Sequence, residues 1–167
     1  LTWLNGQWLR QLPRETLLER LSPWLEKQGT PVSDFDREWL LAVMGLVQEK
    51  CRLLPEILEQ ADFLLQSVLK PDAEQTEKAF ALASAPEVLR SFSEAFASLT
   101  DWDLESLHRV FEQQKSQLPY KMKEIMWPLR AALTGRTAGA DLQQSLFLLG
   151  QKRCLERLQS ALLQLKG

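Results

Sequence analysis

Leucine supplies 34 of the 167 residues, whereas valine and isoleucine together supply only eight. Unbranched side chains lose little rotamer freedom in a helix, while β-branched side chains lose more and favour strands. With 45% apolar residues, a chain of this length can form a core. The composition therefore predicts an all-α fold. Apolar residues at helical spacing predict buried stripes such as Leu17, Leu18, Leu21, Trp24 and Leu25, and Leu104, Leu107, Val110 and Phe111.

Short polar signals predict where several helices begin and end. A hydroxyl side chain followed three residues later by an acid is typical of a helix N-terminus. This pattern occurs at Ser33 with Asp36, Ser84 with Glu87, and Thr100 with Asp103. Gly135 and Gly150 are predicted to stop two helices, and Asp141 to begin the helix between them. Pro128 is expected to kink its helix.

Proline also predicts the division of the chain into two parts. Pro55 is expected to split the apolar segment from Leu53 to Leu69 into two short helices. Lys70 precedes Pro71, and a residue in that position is disfavoured in the α region. We therefore predict two consecutive helical bundles, residues 1–70 and residues 71–167.

Charge is distributed unevenly, although the net charge is only −2. Residues 115–167 contain nine lysines and arginines against three acids, while residues 1–114 contain eleven against nineteen. A basic region attached to an acidic one is a candidate for contact with phosphates. A second interpretation remains open, in which the basic end only neutralises the acidic body.

The sequence lacks the patterns of a self-contained enzyme. It has no glycine-rich phosphate loop and no nucleophile elbow, and its one histidine, His108, lacks a set of converging metal ligands.

Cys51 and Cys154 have no metal or redox spacing, which favours a reduced, cytoplasmic compartment. The longest apolar run, residues 39–47, is too short for a membrane span. We expect no metal, cofactor or membrane segment here. A start at Leu1 without a signal sequence suggests the cut edge of a larger protein.

Two stretches near the end of the chain carry a family resemblance. The stretch Met126-Trp-Pro-Leu-Arg-Ala-Ala-Leu-Thr-Gly135 is followed, after a short loop, by Leu146-Phe-Leu-Leu-Gly-Gln-Lys-Arg-Cys-Leu-Glu-Arg-Leu158. They closely resemble the C-terminal signature of bacterial-type glutamyl-tRNA synthetases. Weaker similarity appears in the opening Leu4-Asn5-Gly6 and from Gln48 to Glu56, so the resemblance covers essentially the whole chain.

The resemblance implies that both bundles form an anticodon-binding arm. It also implies a catalytic domain in the same chain that uses ATP and magnesium to attach glutamate to tRNA(Glu), in a monomeric cytoplasmic enzyme. This segment itself would bind no cofactor. The parent protein would be an enzyme, but the segment alone would not be catalytic.

The resemblance and the chemistry of the side chains together predict the residues that contact RNA. Arg130 is the first candidate, because a planar guanidinium matches two acceptors and can also stack; an ordinary surface ion pair is the alternative. Lys50 stands where discriminating members of the family carry an arginine, which predicts relaxed reading and acceptance of tRNA(Gln) as well as tRNA(Glu). Alternatively, Lys50 is only a solvated lysine at a helix end. Further anticodon contacts are predicted at Thr134, Arg136, Gly139, Ala140 and Leu142. Phosphate contacts are predicted at Lys121, Lys123, Lys152, Arg153 and Arg157.

A function of a different class stays open at this point. Six tryptophans and an acidic first half are also compatible with a helical adaptor that binds another protein. Binding to tRNA(Glu) and to an anticodon-loop variant would distinguish the two hypotheses.

Overall fold

The structure, a computed structural model, describes residues 2–166, with side chains described from Gln7 onward. The side chains of Leu4, Asn5 and Gly6, which carry the weaker opening match, therefore lie outside the described residues. Within residues 2–166 the chain forms ten α-helices and one 3-10 helix, and it forms no strand. The predicted all-α fold is confirmed.

The helices form two compact units, Leu1–Val68 and Leu69–Gly167. The first unit contains α1 (Thr2–Gln11), α2 (Arg14–Lys27), a 3-10 helix (Val32–Asp34), α3 (Arg37–Gln48) and α4 (Leu54–Leu65). Helix α3 packs against both α2 and α4. Its apolar face is completely buried at Leu40, Val43, Met44 and Val47, because these residues recur every three or four positions.

The second unit contains α5 (Ala73–Phe80), α6 (Ala85–Ala97), α7 (Leu104–Gln117), α8 (Met122–Thr134), α9 (Leu142–Leu149) and α10 (Gln151–Lys166). Helix α6 packs against α7, α8 and α10, and α8 also packs against α5 and α10. Phe92, Phe96 and Phe111 form the aromatic centre of this core, with ring centroids 5.2–6.3 Å apart. The first residue of the unit, Leu69, is two residues before the predicted boundary at Pro71.

Two predicted helix starts are corrected by the structure. Asp36, rather than Ser33, caps α3, because its Oδ2 atom accepts from the Trp39 backbone N–H at 3.0 Å. In the same way Asp103 caps α7, because its carboxylate accepts from the Ser106 backbone N–H. In both cases the acid is itself the cap and the hydroxyl residue lies outside the helix, since a carboxylate accepts from the same orphan amide.

The prediction for the region around Pro55 is also wrong. The segment forms one helix, α4, and Pro55 lies in its first turn, where the missing N–H has no intrahelical partner to lose. Trp24 and Leu104 are not buried, with exposed fractions of 51% and 45%. Each lies at the edge of its apolar stripe, so that solvent reaches one side.

Candidate nucleic-acid interface

Helix α8 leads to the predicted RNA-reading turn. Its first turn is closed by Glu124, whose Oε1 atom accepts from the Lys121 backbone N–H at 3.0 Å. Pro128 lies inside the helix and cannot donate to the carbonyl of Glu124, four residues earlier. The Ser84 hydroxyl donates to that carbonyl at 2.7 Å instead. Ser84 therefore satisfies the acceptor that Pro128 leaves open, and it does not form the predicted capping box.

The predicted stop at Gly135 is confirmed. Gly135 has φ +80°, a left-handed conformation that glycine adopts at little cost, and its N–H donates to the Ala131 carbonyl at 3.0 Å. The Thr134 hydroxyl donates to the Arg130 carbonyl at 2.8 Å, which closes the last turn of the helix. Residues 136–140 then form a short connection to Asp141, which caps α9 by accepting from the Gln144 N–H at 2.9 Å. We call residues 136–140 the reading turn.

Arg130 and the reading turn are brought together by the structure. The Nη1 atom of Arg130 donates to the Ala140 carbonyl at 3.0 Å, and the side chain is half-buried. Burial lowers the pKa of Arg130, while the nearby Asp141 carboxylate opposes that shift, so the guanidinium stays charged at neutral pH. One of its five N–H donors bonds to the turn, and the other donors of the guanidinium lie beside a partly exposed loop.

The other residues predicted to contact the anticodon differ in accessibility. Arg136, Gly139 and Thr134 are half-exposed. Ala140 and Leu142 are buried, so their side chains pack in the core and would meet a ligand only through the backbone. The predicted anticodon contacts of these two residues would therefore be made by backbone groups.

Arg157 is the clearest correction among the predicted phosphate contacts. Its side chain is only 8% exposed, and its Nη1 atom donates to the Leu133 carbonyl at 2.8 Å. Burial lowers its pKa to about 10, which still keeps the group charged at neutral pH. Arg157 thus satisfies an orphan carbonyl at the end of α8 and does not face solvent. Sequence alone gave no sign of this, because the basic run in α10 reads as one exposed face.

The remaining basic candidates lie at the surface or near it. Lys121, Lys123 and Lys152 are exposed. Arg153 is half-buried, its Nε atom donates to the Leu149 carbonyl at 3.2 Å, and burial lowers its pKa. The three lysines are therefore better placed than Arg153 to attract phosphate.

Trp127 is a candidate that sequence reasoning missed. It is half-exposed, and the Nζ atom of Lys123 lies 4.1 Å from the centre of its ring. Residues 123, 127, 130 and 134 are spaced by three or four positions and so share one face of α8. A half-exposed aromatic ring beside cations can stack on an unpaired base. The spacing of these four residues is visible in the sequence, but it does not show that the Trp127 ring is half-exposed.

Lys50 belongs to the first unit and follows the end of α3. It is exposed, and its backbone N–H donates to the Val47 carbonyl at 3.1 Å. Just before it, the Nε2 atom of Gln48 donates to the carbonyls of Leu9 and Leu12, each at 2.7 Å. This helix end is fixed to α1 through Gln48, while the Lys50 side chain extends into solvent.

Other site types find little support in the part of the chain that the structure describes. It contains no group of three His, Cys, Asp or Glu side chains placed to hold a metal ion. His108 lies 4.0 Å from Glu112 on the exposed face of α7. Over the same described residues, each helix is too short or too polar to cross a lipid bilayer.

Comparison with known proteins shows the family to which the chain is similar. A family model described as an anticodon binding domain matches residues 16–162. The glutamate–tRNA ligase of Thermobifida fusca is 35% identical over 166 residues, which are 98% of this chain and 35% of the ligase. The glutamate–tRNA ligase of Acidothermus cellulolyticus is 36% identical over 169 residues, which cover 96% of this chain and 33% of the ligase. The chain therefore spans about a third of the length of the curated relatives that it matches.

A solved structure shares the fold. The crystal structure of a glutamate tRNA ligase from Elizabethkingia meningosepticum, in complex with its amino acid, matches with a TM-score of 0.77 and 24% identity. The match covers 98% of this chain and 32% of that one. At this identity the likeness concerns the fold alone.

Proposed function

The chain belongs to the anticodon-binding domain family, and on this premise we propose that it is the anticodon-reading portion of a glutamate–tRNA ligase. The named relatives and the signature from Met126 to Leu158 both support this proposal. Both units would then belong to one anticodon-binding arm, with residues 1–70 and 71–167 as its two subdomains.

One observation carries the proposal: half-buried Arg130 bonds to a partly exposed turn between two helix ends. Unpaired bases offer their pairing edges to such a surface, and backbone groups of a turn can bond to them. A partly buried guanidinium discriminates between base edges better than a fully solvated one, because its geometry is fixed before RNA binds. Trp127 on the same face would stack on a base.

Charged residues outside the turn would contribute in a less specific way. Lys121, Lys123 and Lys152 would attract phosphates and add salt-dependent affinity without selecting a sequence. Lys50 would face the third anticodon position as a point charge, which matches a base edge less well than a guanidinium. The parent enzyme would therefore accept tRNA(Gln) as well as tRNA(Glu).

The activity of the whole protein follows from the same proposal. A catalytic domain in the same chain would attach glutamate to tRNA with ATP and magnesium, and this segment would hold none of those ligands. The protein would act as a monomer in the cytoplasm. The partners of the segment would be tRNA and that catalytic domain.

The test is a titration of the 167-residue chain with tRNA(Glu) and with the same tRNA carrying a substituted anticodon, both at moderate salt. We expect tighter binding to the native anticodon loop, by about tenfold, since a base edge that loses its hydrogen-bonding partner costs about 1–3 kcal/mol. Equal binding to both RNAs, or binding to neither, would contradict a reading function for this chain.

A second candidate, a protein-binding adaptor, is favoured by two exposed tryptophans of the first unit. Trp8 is 44% exposed and Trp24 is 51% exposed. The Cζ atom of Arg20 lies 4.7 Å from the centre of the Trp8 ring, and the Nζ atom of Lys27 lies 5.7 Å from that of Trp24. Exposed aromatic residues of this kind are enriched in protein interfaces. Anticodon-dependent RNA binding that survives Trp8→Ser and Trp24→Ser would favour the reader over the adaptor.

A further inference from the structure

Residues at the start of α5 form hydrogen bonds with Gly135 and with the reading turn. The Asp72 backbone N–H donates to the Gly135 carbonyl at 2.8 Å. The Oε1 atom of Gln75 accepts from both the backbone N–H of Thr137, at 2.9 Å, and its hydroxyl, at 3.2 Å. Arg130 holds the other end of the turn through Ala140. The turn is thus fixed at both ends before any ligand is present.

Gln75 is itself oriented by the cap of its own helix. Asp72 accepts from the Gln75 backbone N–H with Oδ1 at 3.0 Å and from the Gln75 Nε2 atom with Oδ2 at 3.2 Å. A carboxylate needs a donor and an amide N–H needs an acceptor, so only one orientation of the Gln75 side-chain amide satisfies both neighbours. The amide oxygen of Gln75 therefore points at Thr137.

The same segment approaches the turn closely at Gly135. A Cβ atom added to Gly135 would lie 2.9 Å from the Pro71 Cα atom and 3.2 Å from the Lys70 carbonyl oxygen. Such distances leave no space for a side chain. The backbone of residues 70–72 thus lies directly against the start of the reading turn.

We infer that Gln75 is a positioning residue for anticodon reading, which holds the reading turn in the conformation that meets unpaired bases. This inference rests on the proposed function. Ordering a loop during binding reduces affinity, and a loop ordered in advance avoids that loss. Gln75 contributes through Thr137 and is not expected to contact RNA itself.

The experiment compares Gln75→Ala and Gln75→Met with the unchanged chain. Methionine keeps most of the side-chain length but has no amide, so a loss shared by both variants belongs to the hydrogen bonds. We expect each to reduce the preference for tRNA(Glu) over an anticodon-substituted tRNA by about fivefold, the effect of roughly one lost hydrogen bond. Gln113→Ala, on the exposed face of α7, is the matched control and is expected to change nothing.

Three further measurements distinguish a positioning role from a general structural role. The melting temperature is expected to stay within a few degrees, and the salt dependence of RNA binding to stay unchanged, because neither the core nor a phosphate contact is altered. Exchange of the Thr137 amide proton is expected to accelerate in both variants. An unchanged preference in both variants would overturn the inference, as would an equal loss of affinity for every RNA. If the unchanged chain had no anticodon preference, the proposed function itself would fail, and slow Thr137 exchange would then show only a structural contact.

Discussion

The end of α3 in the first unit and the end of α8 in the second carry Lys50 and Arg130, the two cations to which we assign base reading in the proposed function, but the two ends are built differently. After α3, Gln48 donates to the carbonyls of Leu9 and Leu12, while the Lys50 side chain extends into solvent. After α8, Arg130 bonds to the turn that follows it. The comparison suggests that a cation fixed beside its loop can select a base, whereas a solvated cation supplies mainly attraction.

Each unit contains one buried thiol, Cys51 after α3 and Cys154 within α10, and its reactivity reports whether the surrounding structure stays closed. Burial raises the pKa of both Cys51 and Cys154 to about 12, with Glu56 and Glu59 also raising that of Cys51. We expect both thiols to react with a thiol reagent at pH 8 roughly a thousandfold more slowly in the folded than in the unfolded chain, because so little thiolate forms. Rapid modification of one thiol alone would show that the structure around that thiol opens.

The same thiols predict the direction of a pH effect. Their folded-state pKa lies above the ordinary value near 9, so the folded chain retains protons that the unfolded chain releases. Their contribution to stability is therefore fully present below pH 9 and is lost as pH rises towards 12. Urea unfolding of Cys51→Ala and Cys154→Ala chains across this range checks the sign.

A substitution of Arg157 tests whether its hydrogen bond to Leu133 stabilises the end of α8. We expect Arg157→Met to lower the free energy of unfolding by about 2–4 kcal/mol, because the buried Leu133 carbonyl loses its donor. Lys152→Met, on the exposed part of the same helix, is the control and is expected to change stability by less than about 0.5 kcal/mol. Unchanged stability with a smaller salt dependence of RNA binding would restore Arg157 as a phosphate contact.

A substitution of Arg130 tests the proposed base reading at the same helix end. Arg130→Ala is expected to weaken binding of tRNA(Glu) by about ten- to a hundredfold and to remove most anticodon preference, since a charged hydrogen bond contributes about 1.5–3 kcal/mol. Lysine at this position should not restore the preference, because it lacks the planar fork. Filter binding with native and substituted anticodons measures both effects, and full rescue by Arg130→Lys would refute a base-reading role.

Lys50 gives the corresponding test in the first unit. Lys50→Ala is expected to reduce charging of tRNA by the full-length enzyme about threefold, the effect of losing one exposed charge at the RNA surface. The unchanged enzyme should charge both tRNA(Glu) and tRNA(Gln), and Lys50→Arg should increase the preference for tRNA(Glu). If the enzyme already rejects tRNA(Gln) and Lys50→Ala has no effect, Lys50 plays no part in reading.

The smallest effects are expected at the exposed lysines of α8 and α10. Alanine at Lys121, Lys123 or Lys152 should weaken the binding of every RNA about twofold. Each lost contact should reduce the slope of log affinity against log salt by about 0.7. A change in anticodon preference alone would show that the lysine contacts a base and not a phosphate. Lys123 is the most informative of the three, because it also covers the Trp127 ring.

Local signals predicted the helix ends around the reading turn, but they did not predict the long-range hydrogen bonds that support these helices. Gly135, Asp141 and Gly150 were placed correctly because each acts on backbone groups within four residues. The prediction at Ser84 failed because its hydroxyl donates to Glu124, forty residues later in the chain. Nothing around Ser84 shows that Pro128 leaves this carbonyl without a donor.

The half-buried and buried arginines near the end of the chain illustrate the same limit. Arg130, Arg153 and Arg157 all belong to a basic end of the chain, and sequence reasoning treated the last two alike. The structure leaves Arg153 half-buried and buries Arg157 against α8. Which side of α10 packs inward depends on the neighbouring helices and not on the charge of the residue.

The sequence by itself determined that this chain is helical, where the helices around the reading turn begin and end, and which family it belongs to, because composition, caps and a contiguous signature act over short distances. Only the tertiary structure decided that Arg157 bonds to Leu133 and that Gln75 bonds to Thr137, 62 residues apart. Hydrogen bonds between distant residues depend on how helices pack, and packing is a property of the whole unit.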